Sequence, residues 1–153
     1  MTNASKNLAP EEISSIDDLV QEGKKRIKST AIAGHVMGPA VPPADLYFSR
    51  ALQLMRKQGI QNPEMEFDIE LHLGAYLGYT LRDKEAIPHF ERSIGLKPKN
   101  LQARKCLAIA YRNTGDSQKS AQQFAQIAKL SAVVSTGKYT NYWRAAREYL
   151  RAA

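Results

Sequence analysis

Residues 67–100 repeat themselves about 34 positions later, and a chain that recurs with that period can satisfy it only by stacking a two-helix unit on its copy. Leu73, Gly74, Leu77, Ala86, Phe90 and Pro98 return as Leu107, Ala108, Tyr111, Ser120, Phe124 and Ala132. The types follow from packing. Small residues at Gly74, Ala86 and Ala108 suit the close crossing of two helices, and Phe90 and Phe124 fill the gap to the next hairpin. A third, partial set keeps part of the spacing upstream, in Ala51, Met55 and Pro63.

Local signals agree with helical hairpins throughout. From Glu11 to Ala33 the positions Ile13, Ile16, Val20, Gly23, Ile27 and Ala31 fall three or four apart, one face of an amphipathic helix. Gly38 to Pro43 then break any helix and form the clearest linker. A second helix is predicted over 44–57, with Leu46, Phe48, Ala51, Leu52 and Met55 on its apolar face. Gly59 ends it, and Asn62-Pro63 opens the next. Further helices are predicted at 63–80, 84–96, 101–114, 117–131 and 139–152. Gly115 suits a helix C-terminus, Asp83 and Asp116 suit N-caps, and Lys97-Pro98-Lys99-Asn100 closes one unit and caps the next. The expected organisation is a flexible tail at 1–10, a helix and linker at 11–43, and a repeat domain at 44–153 with a C-terminal capping helix.

On the slots quoted above, the chain resembles the tetratricopeptide repeat (TPR) family, with two units over 67–132 and a half unit at 44–63. It departs from the family pattern at Glu70 and Arg104, which stand where that pattern has Trp, at Pro88, and at Ala132. The resemblance implies an all-α solenoid whose first helices line a concave groove that grips a peptide or an extended segment. It assigns to that groove Asp68, Leu71, His72, Ala75 and Tyr79 from one unit, and Gln102, Lys105, Cys106, Ile109, Arg112 and Asn113 from the next. An adaptor or chaperone is therefore expected. Family members that clamp the C-terminal carboxylate of large chaperones use Lys, Asn and Arg over three repeats, and Leu71 and Ala75 stand where Lys and Asn would be expected. That particular role is disfavoured. Size and element order are also similar to bacterial type III secretion chaperones for translocator proteins.

Charge narrows the partner. Residues 101–153 hold 9 Lys and Arg against 2 Asp and Glu, while residues 1–100 hold 13 of each. The excess favours an acidic partner, with Lys105 and Arg112 pairing its charge and Leu71 with Tyr79 receiving an apolar anchor. Nucleic acid is the rival, since Lys138, Tyr139, Tyr142, Trp143, Arg144, Arg147 and Arg151 interleave cations with aromatics. In a capping helix, however, Tyr142, Trp143, Ala146 and Leu150 form a buried stripe. Joined through the linker, the N-terminal helix either folds over the groove or swaps onto a second copy to make a homodimer.

Catalysis and cofactors are not expected. The single cysteine, Cys106, can form no internal disulfide, and His35, His72 and His89 lack the spacing of a metal site. Phosphate-binding glycine loops are absent. Cys106 and His72 share a slot in adjacent units, the one arrangement that could bring a thiol to a base, but no residue is placed to orient the imidazole. Met1 to Leu19 contains no apolar run, so a soluble cytoplasmic protein is expected.

Overall fold

The computed structural model describes residues 8–33 and 43–133, with side chains over 8–28 and 43–131. The proposed capping helix, its aromatic and arginine residues and most of the Pro/Gly linker lie outside these residues. Among the described residues there are six α-helices, one 3₁₀ turn (Pro10–Glu12) and no strand: α1 (Ile16–Ala33), α2 (Ala44–Lys57), α3 (Pro63–Tyr79), α4 (Asp83–Leu96), α5 (Leu101–Asn113) and α6 (Ser117–Val133). They form two compact units divided between Asn62 and Pro63.

In the first unit α1 packs on α2. Leu19 and Val20 are buried from α1, and the ring of Phe48 lies over Gly23 so closely that a Cβ there would stand 2.8 Å from it. Only a missing side chain permits that approach. This pairing moves three sequence expectations. The division expected at residues 43 and 44 falls instead after Asn62, because α1 uses its apolar face on α2. The upstream register is also different: the ring that lies on a glycine is Phe48, with buried Ala44 four residues before it, although Ala51 and Met55 are buried as well. Gly23 and Phe48 are separated by 25 positions, Gly74 and Phe90 by 16, so the Pro/Gly linker hides the match from any search at fixed period. The tail, finally, is anchored from residue 8. Tyr47 Oη donates to the Leu8 carbonyl at 2.7 Å, Pro10 is buried, and Glu12 accepts from the Ala9 amide at 2.9 Å.

On α2, Tyr47 is buried and Leu46, expected inside, is 47% exposed. The Tyr47 ring lies 5.4 Å from the Arg26 guanidinium, and Arg26 is itself paired with Glu22 at 3.0 Å. A phenol with its hydroxyl satisfied fills the core here as an aliphatic side chain would.

The second unit is two hairpins, α3 with α4 and α5 with α6, joined by α4 packing on α5. Gly74 and Phe90 form the first close crossing, where an added Cβ would meet the ring at 2.7 Å. Ala108, Phe124 and Ile127 form the second, with Leu101 against them. Asn100 and Asp116 cap α5 and α6 through the amides of Ala103 and Lys119 at 2.8 and 3.1 Å, as their residue types imply. Asp83 is not a cap. It is the first residue of α4, and its carboxylate accepts from the Asn113 amide at 3.2 Å. Pro88 leaves α4 continuous, its ring on the exposed side.

The departures from the Trp slot are polar bridges. Glu70, 0% exposed, receives His89 Nδ1 at 2.6 Å and Arg92 Nη1 at 3.0 Å from α4. One repeat later Arg104 donates to Gln123 Oε1 at 3.1 Å and to the Pro98 carbonyl at 2.7 Å. Each first helix is thus tied to its second helix at the same height. Burial alone would raise the Glu70 carboxyl, but the two donors outweigh it and hold it below its ordinary range.

Candidate functional site

The candidate face comes from the first helix of each hairpin in the second unit. α3 presents Leu71, His72, Ala75 and Tyr79, and α5 presents Gln102, Lys105, Ile109, Arg112 and Asn113; none of these nine is buried. The opposite sides of the same helices hold the core through Ile69, Leu73, Tyr76, Ala103, Leu107 and Ala110. Helical periodicity therefore separates packing residues from open ones within each helix, and α3 lies against α5.

Two contacts with α4 fix where α5 carries its residues. Tyr111 Oη donates to Glu91 Oε1 at 2.5 Å, and Asn113 donates to Asp83. Asn113 is thereby partly occupied in holding α5. The Tyr111 hydroxyl is pushed well above the usual phenol range, first by burial and then by the Glu91 carboxylate that accepts its hydrogen bond. Tyr111→Phe is expected to cost about 1 kcal/mol in urea unfolding, since Glu91 is exposed and regains water when the donor is lost.

Lys105 and Arg112 form no ion pair with another described residue. Their charge is available to a ligand. Leu71 is half-buried and Tyr79 is 41% exposed, which leaves apolar surface on α3.

The thiol and imidazole of this face are both engaged elsewhere. His72 Nδ1 lies 2.7 Å from the Asp68 carbonyl and 3.3 Å from its carboxylate, and Gln102 Nε2 donates to Cys106 Sγ at 3.5 Å. Burial pushes the Cys106 thiol above its ordinary range, partly opposed by Gln102 and Lys105, which is the wrong direction for a nucleophile. Among the described residues no group of three or more His, Cys, Asp or Glu could hold a metal ion, and no helix is long and apolar enough to cross a membrane.

Features that sequence reasoning missed lie in the turns. Thr80 Oγ1 donates to the Tyr76 and Leu77 carbonyls at 3.1 Å, and Thr114 repeats this with Ala110 and Tyr111 at 3.0 and 3.1 Å. The recurrence of Thr at the repeat period was the available signal. After each threonine the backbone turns left-handed, at Gly115 (φ 86°) in one hairpin and at Leu81 (φ 62°) in the other.

No protein-family model matches this sequence, and no curated protein matches it either. Solved structures do. The C-terminal TPR-containing domain of a Plasmodium falciparum protein described as FK506-binding superposes with a TM-score of 0.68 at 17% identity, covering 95% of each chain. YrrB, described as a TPR protein with an unusual peptide-binding site, gives 0.43 at 14% identity over 92% of this chain and 82% of that one. With the helical hairpins, the recurring small-residue and phenylalanine crossings, and the first of these superpositions, the chain has the tetratricopeptide-repeat fold.

Proposed function

We propose that this chain is a protein–protein interaction module, an adaptor or chaperone that holds an extended segment of another protein along the shared face of α3 and α5. The observation that carries this reading is the open row itself: nine residues of two neighbouring first helices stay unburied, with apolar Leu71 and Tyr79 on α3, Ile109 on α5, and Lys105 and Arg112, which have no ion pair with another described residue. Stacked helical hairpins use such a face for binding. An acidic segment with an apolar anchor is the matching ligand, Lys105 and Arg112 pairing its carboxylates. The module acts by binding and not by catalysis, a reading supported by the raised Cys106 thiol and by His72 being turned to Asp68.

The test is retention of partners from native lysate by wild type and by a Lys105→Glu/Arg112→Glu variant, with and without nuclease, read by mass spectrometry. A protein retained by wild type is expected to be lost by the variant. Removing two charge-assisted contacts weakens binding by about 30-fold or more. Arg112 is exposed and Lys105 is only half-buried, so circular dichroism is expected to be unchanged. Retention of nucleic acid alone would overturn the reading.

A further inference from the structure

The polar side chains of α5 divide into those with a partner and those without. Arg104 turns to Gln123 and the Pro98 carbonyl, Gln102 donates to Cys106, and Asn113 donates to Asp83. Lys105 and Arg112 have no ion pair with another described residue, and Ile109 stands between them, also unburied. No acidic residue occurs on α5 itself. One carboxylate touches the end of the row, where Asp83 holds Asn113, the neighbour of Arg112, without an ion pair to Arg112. The row as a whole stays cationic.

Helix geometry fixes the order and the steps of that row. At 3.6 residues per turn Lys105, Ile109 and Arg112 fall within an arc of about 60°, so all three point the same way. Along the axis Ile109 stands about 6 Å from Lys105 and Arg112 about 10.5 Å from it. In an extended ligand alternate side chains face one side, so residues i, i+2 and i+4 present themselves at about 6.6 and 13.2 Å. The first step matches, and the long arginine stem spans the roughly 3 Å left at the second. A partner helix could match the steps too, but it docks through a continuous apolar stripe. Here α5 supplies Ile109 alone between two charges.

We infer that Lys105, Ile109 and Arg112 read an extended partner segment of the form acid-x-apolar-x-acid, the cations pairing its two carboxylates and Ile109 packing on the apolar side chain between them. The inference rests on the interaction-module reading and adds the register of the ligand to it. Selectivity comes from order as well as charge. A segment of the same composition in another order sets a carboxylate against Ile109 or an apolar side chain against a cation, and loses a charge-assisted pair.

The test is fluorescence anisotropy with the full chain and labelled peptides of one composition, two glutamates and a leucine in a serine background. The peptide with glutamate, leucine and glutamate at its first, third and fifth positions is expected to bind about tenfold or more tighter than one with both glutamates before the leucine, or one with helical spacing. Charge reversal checks the pairing. Arg112→Glu is expected to lose the matched peptide and to recover one of the two versions in which lysine replaces the first or the last glutamate, and Lys105→Glu is expected to recover the other. Equal binding of the reordered peptides, or no recovery by either variant, overturns the register and leaves the module reading standing. Tightest binding by the helically spaced peptide overturns the extended form. If wild type binds none of the peptides, the register is overturned and the module reading is judged by the lysate experiment alone.

Discussion

Phe90→Ala is expected to destabilise the second unit by about 4 kcal/mol, read as a lower urea midpoint at little changed slope. The ring is buried, 2.7 Å from where a Gly74 Cβ would lie, so the residue it packs on has no side chain to relax into the space it leaves. A cavity that cannot collapse gives the upper part of the range. Gly74→Ala tests the same contact from the other side. Alanine gains about 1 kcal/mol of helix propensity over glycine, but its methyl must displace a buried ring, which costs about 1–3 kcal/mol. Net loss is expected with Phe90 present and net gain in a Phe90→Leu background. Additive behaviour of the two substitutions would show that they do not share one space.

His89→Leu is expected to cost on the order of 3 kcal/mol at neutral pH, more than Glu70→Gln, although Glu70 is the buried member of the pair. The asymmetry comes from what is left behind. Without His89 one oxygen of a fully buried carboxylate loses its donor, whereas without the Glu70 charge the partly exposed His89 and Arg92 can return to water. The pH dependence has a definite sign. The Glu70 carboxyl is held below its ordinary 4.5 in the folded chain, so the stability it contributes is present above about pH 4.5 and is lost as pH falls through the lower folded value. Wild type should therefore weaken in acid below pH 4.5, and the gap to His89→Leu should narrow there, because protonation removes the stranded charge. Thermal unfolding between pH 3 and 7 measures both curves. Parallel curves would mean that Glu70 and His89 do not act as a pair. The double variant Glu70→Leu/His89→Leu should recover most of the loss, since the slot is apolar in the repeat pattern that this chain otherwise follows.

The fold was largely readable because it depends on period. Leu73, Gly74, Ala86 and Phe90 recur in slots that only a helical hairpin makes equivalent, and Asn100, Asp116 and Gly115 punctuate the helices through local chemistry that needs no tertiary information. That the nine proposed residues of α3 and α5 stay unburied was readable for the same reason: at 3.6 residues per turn, positions that do not pack face outward.

What the linear chain concealed was long-range. It determined that α1 is amphipathic, but only tertiary packing decided that α1 belongs to α2, because an irregular linker lengthens the separation of Gly23 and Phe48 and breaks the period. It showed Glu70 and Arg104 as misfits in an apolar slot, and only the approach of α4 and α6 turned them into bridges to His89, Arg92 and Gln123. Leu81 falls between two predicted helices, and only the hairpin geometry of α3 and α4 makes it an exposed residue in a left-handed conformation. Residue type and spacing specify local conformation and which face is apolar; which faces meet, and which polar or strained residues that meeting leaves satisfied or exposed, is settled only when the helices pack.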